Sequence, residues 1–320
     1  MHSFSLLVEL FEERLKELPF PQLPSGLYDP CRYFMELGGK RVRPVLCLMS
    51  NELFDDISED AWHGAMGIEL FHNFTLIHDD IMDKAPLRRG KETVHEKYGL
   101  TTAILSGDVL NIYAYDQLAK IHANLSPILH LFNKTSIEVC EGQQWDMDFE
   151  TRNNVGIEEY IHMITLKTSV LLACSLKMGA LLGGATEGNA SKLYEFGKNL
   201  GIAFQLQDDY LDAFGSAEKL GKQNGGDIIA NKKTFLHLSA MNSANNLQRK
   251  EMEQVMLMEG VEKVPAMLNL FAATNADKAC REAVQQYSDM AFQCLEESAV
   301  VSKRKEPLFE LAQYLLMRDR

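Results

Sequence analysis

Apolar residues recur at three- and four-residue spacing along most of the chain, and this periodicity predicts long helices with one buried face. Six of the nine prolines lie before residue 90, and none occurs between Pro127 and Pro265, so a long region lacks helix breakers. We find no run of alternating β-branched residues that would predict strands. The pattern therefore predicts an all-α protein, and the lack of a linker or low-complexity stretch predicts a single domain over residues 1–320.

The most clearly marked helix follows residue 56. The segment Asp56-Ile57-Ser58-Glu59 has the spacing of a capping box, so we expect Asp56 to cap the helix and Glu59 to reach back toward it. Helical spacing continues through AWHGAMGIELFHNFTLIHDDIMD, which predicts a helix of about 24 residues with a length of roughly 36 Å. The last turn of this helix carries a cluster of aspartates.

The composition describes an acidic globular protein. Its 45 acidic residues exceed its 32 basic ones, which gives 320 residues a formal net charge of −13. Hydrophobic residues make up 46% of the chain, enough to bury a sizeable core, and this excludes disorder as the dominant state. A pI near 5.2 argues against a general duplex-DNA binder, since the protein would repel phosphate backbones. Small phosphorylated substrates stay possible because local clusters of charge bind them.

Cysteine spacing and hydropathy predict a cytoplasmic protein. None of the six cysteines forms a C-x-x-C pair, and scattered buried thiols are typical of a reducing compartment. The N-terminal segment MHSFSLLVELFEERLKELPF lacks the basic start of a signal peptide. Residues 170–185 form the most apolar stretch, but Ser175 and Lys177 interrupt it, and it falls short of the ~20 residues that span a bilayer.

Two acidic clusters share one pattern, DDIMD at residues 79–83 and DDYLD at residues 208–212. Positions i and i+4 lie on the same face of a helix, so the first and last aspartates of each cluster project side by side. Such carboxylates repel one another unless a cation lies between them, and Mg²⁺ prefers oxygen ligands of this kind. Each cluster ends an apolar segment, where a merely solvated acidic patch is not expected. A third cluster, DDISE at residues 55–59, precedes its helix and is explained by capping.

Basic residues recur near these acidic clusters. Arginine forks and lysine point charges are the usual means of holding phosphate oxygens. The candidates lie in GGKRVRP at residues 38–44, in RRG at residues 88–90, in the pair Lys167-Thr168, at Lys222, and in NKKT at residues 231–234. His72 precedes Asp79 by two helical turns, so it lies on the same face of its helix.

Six motifs resemble those of the trans-isoprenyl diphosphate synthases, also called polyprenyl synthetases, which include farnesyl and geranylgeranyl diphosphate synthases. In chain order they are GGKRVRP, FHNFTLIHDDIMDKAPLRRGKETVHEKYG, CEGQQWDMDF, ITLKTSVLL, FQLQDDYLDAFG and GKQNGGDIIANKKT. The resemblance covers roughly residues 30–235 in collinear order, and six motifs in this order are highly specific. The C-terminal part is compatible with the family but carries no diagnostic motif.

The resemblance implies an all-helical bundle around a deep apolar cavity, with the two aspartate motifs facing each other across its mouth. It implies three Mg²⁺ ions: Asp79 and Asp83 bridge two of them and Asp208 holds the third, assisted by Asp80, Asp209 and Asp212. Lys167 joins Asp79, Asp80, Asp83 and Asp208 as a catalytic residue. The residues expected to hold isopentenyl diphosphate are Lys40, Arg43, His72 and Arg89. Those expected to hold the allylic diphosphate are Arg88, Lys167, Thr168, Gln205, Lys222 and Lys232. Gln143 and Asp146 match the family's Gly-Gln-x-x-Asp stretch, with a secondary role.

The implied activity is head-to-tail condensation of isopentenyl diphosphate with an allylic diphosphate by a homodimer. A bulky side chain on the helix that carries Asp79 would limit product length, and the resemblance points to Phe74 and Thr75. Ideal helix geometry places Thr75 about 40° and Phe74 about 140° from Asp79, which favours Thr75. The first cluster lacks the two-residue insertion of many bacterial farnesyl synthases. This favours a geranylgeranyl product, with farnesyl close behind.

Two other functions use part of the same pattern. A class I terpene cyclase also ionises an allylic diphosphate with an aspartate motif and Mg²⁺, but it needs one diphosphate site, whereas Lys40, Arg43 and Arg89 suggest a second. A non-catalytic partner subunit of another synthase should have lost acidic or basic motif residues, and none is lost here.

Overall fold

A computed structural model describes residues 1–215 and 225–317 of the chain. The prediction of an all-α protein is confirmed. Within the described ranges the strands are β1 (Leu87–Arg88) and β2 (Lys91–Glu92), a short antiparallel ladder that pairs Leu87 with Glu92 and Arg88 with Lys91.

The helices follow in chain order. In the first half they are α1 (Phe4–Lys16), α2 (Ser25–Glu36), α3 (Val42–Glu52), α4 (Glu59–Met82), α5 (Val94–Tyr98), α6 (Leu100–Leu118), α7 (Leu125–Thr151) and α8 (Ile157–Ile164). A π turn (Thr165–Ser169) joins α8 to α9 (Val170–Leu182). The remaining helices are α10 (Glu187–Phe214), α11 (Gly226–Ile229), α12 (Phe235–Ser243), α13 (Asn246–Met256), α14 (Lys263–Ala273), α15 (Ala276–Glu296) and α16 (Ser302–Leu316).

The chain divides into two compact units. Unit 1 contains Met1–Leu131, Ser175–Ser191 and Val300–Pro307. Unit 2 contains Phe132–Cys174, Lys192–Ala299 and the chain from Leu308. Each unit therefore combines segments that are distant in sequence, and the single-domain organisation stays a prediction.

In unit 1, the predicted long helix is α4, and its observed length of 24 residues agrees with the prediction. The predicted cap is wrong. Ser58 is the N-cap, and its Oγ accepts a hydrogen bond from the amide of Ala61 at 3.1 Å. Glu59 is the first helical residue, and it binds Arg14 of α1 instead of reaching back. Serine at the N-cap satisfies an amide that would otherwise lack a partner, so the two-residue shift preserves the capping chemistry. The inner face of α4 packs on α3 and α6.

Unit 2 has its own hydrophobic core. Met163 of α8, Leu206 of α10, Phe235 of α12 and Phe271 of α14 are all buried in it. Burying these side chains fixes the faces of α8 and α10, because apolar area removed from water contributes about 25 cal/mol per Å². The C-terminal end of α10 carries the second aspartate motif, with Asp208 exposed and Asp209 buried.

One segment, Ile157–Leu182, is long and apolar enough to cross a membrane by length and composition. In this structure 72% of its most apolar window is buried inside the protein, as in a core helix. The cysteines Cys31, Cys47, Cys174 and Cys280 are buried.

Candidate active site

The first aspartate motif lies at the C-terminal end of α4, and its middle aspartate, Asp80, forms an ion pair with Arg88. Asp80 is 1% exposed, and Arg88 Nε donates to both of its carboxylate oxygens at 2.8 and 2.9 Å. Burial raises the pKa of Asp80, while Arg88 opposes the shift. Asp79 is about one-fifth exposed and Asp83 is exposed at the end of the helix. Asp80 therefore fixes Arg88, while Asp79 and Asp83 are more accessible to a ligand.

The second motif, on α10 of unit 2, also combines a buried middle aspartate with an exposed one. Asp209 is buried and accepts hydrogen bonds from the hydroxyl of Tyr160 and from Gln205 Nε2, the latter at 3.2 Å. Burial raises the pKa of Asp209 to about 8. Asp208 is exposed. Asp212 Oδ2 accepts the amide hydrogen of Asp227 at 2.9 Å at the start of α11, and burial raises the pKa of Asp212.

The accessible carboxylates have the chemistry that Mg²⁺ requires. Across residues 1–215 and 225–317 there is no preformed group of three acidic, histidine or cysteine residues for a metal. Mg²⁺ is usually held by one or two carboxylates together with water and substrate phosphates, so a complete protein cage is not needed. Asp79, Asp83 and Asp208 therefore fit Mg²⁺ that arrives with a diphosphate.

Unit 1 also brings together the residues predicted to hold isopentenyl diphosphate. Arg43 Nη1 lies 3.1 Å from His72 Nε2. Burial, followed by the charge of Arg43, lowers the pKa of His72 well below its usual value, so His72 is neutral. Arginine can only donate, hence Nε2 accepts and the proton of His72 is on Nδ1. The Arg89 guanidinium packs on Gly39, where an added Cβ would lie 3.2 Å from both of its Nη atoms. Lys40 beside it is exposed.

Arg43 carries a donor that the protein does not satisfy. Its Nε is buried and has no hydrogen-bond partner among the described residues. Burial lowers the pKa of Arg43 to about 10, which means that the charged form is held at a cost. A buried, positively charged donor without an acceptor favours an anionic ligand. The free-energy cost of leaving such a donor without a hydrogen bond exceeds the net stabilisation that an ordinary hydrogen bond provides.

Sequence reasoning passed over the neighbouring Arg41. This residue is 3% exposed and forms 2.5 Å ion pairs with Glu69 and Glu12. Its backbone is left-handed, with φ of 48°, at the start of α3. Arg41 therefore anchors the segment between Lys40 and Arg43 and contributes to its fold. The signal in the sequence was weak, because glutamates distant along the chain supply its partners.

In unit 2, Lys167 and Thr168 occupy the π turn. Lys167 Nζ binds Asp146 Oδ2 of α7 at 2.6 Å, and the Thr168 hydroxyl donates to Gln205 Oε1 of α10 at 3.4 Å. The structure thus brings Lys167, which is predicted to bind the allylic diphosphate, into contact with Asp146, for which the sequence predicted only a secondary role. The amide nitrogen of Gln143 on α7 is buried and has no partner within the described part of the chain.

Lys232 follows α11 and is tied to Asp227. Its Nζ lies 3.3 Å from Asp227 Oδ1, and its amide donates to the Asp227 carbonyl at 2.9 Å. The Asp227 amide also donates to Asp212 Oδ2, so Asp227 links the second motif to Lys232. Sequence reasoning missed Asp227 and Tyr160, which support predicted site residues without belonging to the aspartate motif. Lys222 lies outside the described residues.

The two candidates for product length lie on α4, one to two turns before Asp79. Phe74 is partly buried between the rings of Phe71 and His78, with centroid distances of 5.6 and 4.8 Å. Thr75 donates its hydroxyl to the carbonyl of His72 at 2.8 Å, so its polar atom is satisfied within the helix.

Comparison with known proteins identifies the family. Residues 24–272 match the polyprenyl synthetase family. A geranylgeranyl pyrophosphate synthase of Geoglobus acetivorans is 39% identical over 317 residues, which cover 97% of each chain. A geranylfarnesyl diphosphate synthase of Natronomonas pharaonis is 38% identical over 251 residues, covering 72% of this chain and 74% of that protein. The crystal structure of a geranylgeranyl pyrophosphate synthase is 42% identical, with a TM-score of 0.95 over 99% of both chains. The resemblance in the motifs is thus confirmed, and the chain belongs to the polyprenyl synthetase family.

Proposed function

We propose that this protein is a trans-prenyltransferase that condenses isopentenyl diphosphate with an allylic diphosphate. The products are a short-chain all-trans polyprenyl diphosphate, with geranylgeranyl favoured, and pyrophosphate. The observation that carries the proposal is the buried Arg43 Nε of unit 1, which has no acceptor among the described residues. Unit 2 carries a separate set of cations that includes Lys167 and Lys232. Two anion-binding groups suit two diphosphate substrates. The relatives' names support the same reaction class.

Mg²⁺ is the expected cofactor, with three ions. Asp79 and Asp83 hold two ions and Asp208 the third, while Asp80, Asp209 and Asp212 assist by fixing neighbouring groups. When bound, the ions neutralise the leaving diphosphate and lower the barrier to its departure. Three ions, six aspartates and a diphosphate leave a deficit of about three positive charges when every aspartate is counted as ionised, and of about two when the buried Asp209 is protonated. Lysines and arginines near the motifs offset this deficit.

Isopentenyl diphosphate binds through Lys40, Arg43 and Arg89, which together carry enough positive charge to need no metal. His72 stays neutral and orients Arg43 by accepting one of its hydrogens. The diphosphate supplies the missing acceptor for Arg43 Nε. Binding therefore gives the buried Arg43 Nε the hydrogen bond that it lacks without substrate. A charge-assisted hydrogen bond of this kind is worth about 1.5–3 kcal/mol.

The allylic diphosphate binds through a larger group: Arg88, Lys167, Thr168, Gln205, Lys222 and Lys232. These residues hold the diphosphate while the bond between its oxygen and the allylic carbon breaks, so the oxygen leaves as an anion and an allylic cation forms. Preorganised cations that meet developing negative charge are usually the largest catalytic contribution. The double bond of isopentenyl diphosphate then attacks the cation to form the new carbon–carbon bond. A proton leaves the adjacent carbon to form the new double bond, and the released pyrophosphate is its acceptor.

Product analysis with defined substrates tests this reaction. The purified protein is incubated with Mg²⁺ and geranyl or farnesyl diphosphate, with and without isopentenyl diphosphate, and the products are separated by chain length. We expect longer prenyl diphosphates only when isopentenyl diphosphate is present. A hydrocarbon formed without it would identify a terpene cyclase. Inactive protein that raises the activity of a partner synthase would identify a regulatory subunit.

The active form is proposed to be a homodimer in the cytoplasm. Leu105 and Ile112, two turns apart on α6, are more than half exposed, and Ile104 and Tyr115 near them are also exposed. An exposed apolar stripe on one helix favours association with a second copy. Light scattering at micromolar concentration should give the mass of a dimer, and Ile112→Glu should shift it toward the monomer. A monomer mass for the unaltered protein would contradict the proposal.

A further inference from the structure

The segment that carries Lys167 and Thr168 departs from α-helical geometry. From Thr165 to Ser169 the backbone forms a π turn, and the amide of Val170 donates to the carbonyl of Thr165, five residues earlier. Ser169 Oγ donates over the same five-residue interval to the carbonyl of Ile164 at 3.3 Å. The segment TLKTS contains neither proline nor glycine, the usual local causes of a break in a helix. Besides the hydroxyl groups of Thr165 and Ser169, which bond to carbonyls of the preceding turn, the candidates for the cause of the π turn are the helices packed against it.

Two glycines on neighbouring helices touch the backbone of this turn. On Gly142 of α7, an added Cβ would lie 2.2 Å from the backbone nitrogen of Lys167. On Gly201 of α10, it would lie 2.7 Å from both Cα and Cβ of Ser169. Both separations are shorter than real Cβ contacts, and rotation of a side chain relieves neither. The two helices thus approach the turn as closely as only glycine allows.

Each glycine is followed, one turn later, by the residue that binds a side chain of the turn. Asp146 comes four residues after Gly142 and binds Lys167 Nζ at 2.6 Å. Gln205 comes four residues after Gly201 and accepts from the Thr168 hydroxyl at 3.4 Å. Residues i and i+4 lie on one helical face, so a single face of each helix meets both the backbone and one functional side chain.

We infer that Gly142, Gly201 and Asp146 are positioning residues that fix Lys167 and Thr168 for the diphosphate of the allylic substrate. The inference rests on the proposed function of Lys167 and Thr168. π turns recur at functional sites because an extra residue in one turn redirects side chains. Here the close contacts with Gly142 and Gly201 fix the position of the turn's backbone. The hydrogen bonds to Asp146 and Gln205 fix the directions of the Lys167 and Thr168 side chains.

The test compares Gly201→Ala, Gly142→Ala and Asp146→Asn with the matched control Gly188→Ala. Gly188 is also in α10, but an added Cβ there meets nothing within 4 Å. Alanine normally stabilises a helix relative to glycine, so the control should have an equal or higher melting temperature and unchanged kinetics. In Gly201→Ala and Asp146→Asn, KM for geranyl diphosphate should rise about tenfold or more, while KM for isopentenyl diphosphate changes less than about threefold.

The outcomes separate positioning from simple loss of structure. Partial unfolding lowers the number of active molecules and leaves both KM values unchanged. Unchanged KM values, or equal rises for both substrates, in folded Gly201→Ala and Asp146→Asn would overturn the inference. Asp146→Asn keeps the shape of the side chain, so it decides the question even when Gly142→Ala does not fold.

Titration calorimetry with inorganic pyrophosphate and Mg²⁺ gives a readout that does not depend on turnover. Lys167→Met should weaken pyrophosphate binding, and Gly201→Ala should weaken it to a similar extent. If the unaltered protein converts no prenyl substrate, the proposed function fails, but this titration still tests the positioning. Pyrophosphate affinity in Gly201→Ala equal to that of the unaltered protein overturns the inference. Unchanged pyrophosphate affinity in Lys167→Met overturns both the positioning inference and the proposed role of Lys167 in diphosphate binding.

Discussion

Replacing Arg43 with methionine should weaken substrate binding and at the same time stabilise the empty protein. Arg43 Nε is buried and has no acceptor among the described residues, and burial lowers the pKa of Arg43 from its usual value to about 10. At 1.36 kcal/mol per pKa unit, holding this charge in the folded state costs about 3 kcal/mol. Methionine removes this cost but loses the hydrogen bond to His72, which is worth about 1 kcal/mol. We therefore expect the free energy of unfolding to rise by about 1–2 kcal/mol.

Substrate binding should change in the opposite direction. The lost charged hydrogen bond corresponds to a rise of about tenfold to a hundredfold in KM for isopentenyl diphosphate, with a smaller change for the allylic substrate. Lys40→Met is the matched control, because Lys40 is exposed. It should also raise KM for isopentenyl diphosphate, but change the free energy of unfolding by less than about 0.5 kcal/mol.

Urea unfolding without substrate and steady-state kinetics with each substrate varied in turn measure both effects. A loss of more than about 1 kcal/mol of unfolding free energy in Arg43→Met would show that the buried charge is not costly. Equal rises in KM for both substrates would show that Arg43 does not belong to one diphosphate group. Either result refutes the reasoning.

Further predictions concern the metal, product length and pH. Asp79→Ala or Asp208→Ala should lower kcat by several orders of magnitude with Mg²⁺ as the only metal, and chelation should abolish turnover; near-normal kcat would contradict the metal assignment. Phe74→Ala should lengthen the products seen by chromatography if Phe74 limits chain length. If Phe74 is only core packing, the same change costs about 3–5 kcal/mol of stability and leaves product length unchanged. Burial lowers the pKa of His237 from 6.5 to about 4. The neutral His237 therefore contributes its full share to the free energy of unfolding above pH 6.5, and this free energy should fall by about 3 kcal/mol toward pH 4. His237→Leu should flatten this acid limb in urea unfolding, and an unchanged limb would exclude His237 as its source.

The sequence by itself determined the fold class and the chemistry of the candidate site. Helical periodicity without prolines predicted long helices, and α4 has the predicted length of 24 residues. The choice of cap failed by two residues, because Asp56 and Ser58 both have capping side chains. Contacts from elsewhere in the chain, such as the hydrogen bond from the Ser58 amide to Asn51 Oδ1, are not visible in local spacing. The paired aspartate motifs and their basic neighbours identified the family without any tertiary information.

Only the tertiary structure decided which members of those motifs are accessible. The middle aspartates look identical to their neighbours in sequence, yet Asp80 is buried under Arg88 and Asp209 under Tyr160. Partners far along the chain supply these contacts, so local spacing carries no trace of them. The same applies to Arg41, whose acidic partners belong to α1 and α4.

The π turn is the clearest example of this division. The motif ITLKTSVLL marks Lys167 and Thr168 as functional residues, but nothing in it predicts a break in helical geometry. The break depends on Gly142 and Gly201, which lie 25 and 34 residues away from Lys167 in sequence. Local propensity is a property of neighbouring residues, whereas close backbone approach is a property of packed helices. A single sequence therefore identifies the reactive side chains, and the packing of α7 and α10 sets where those side chains are held.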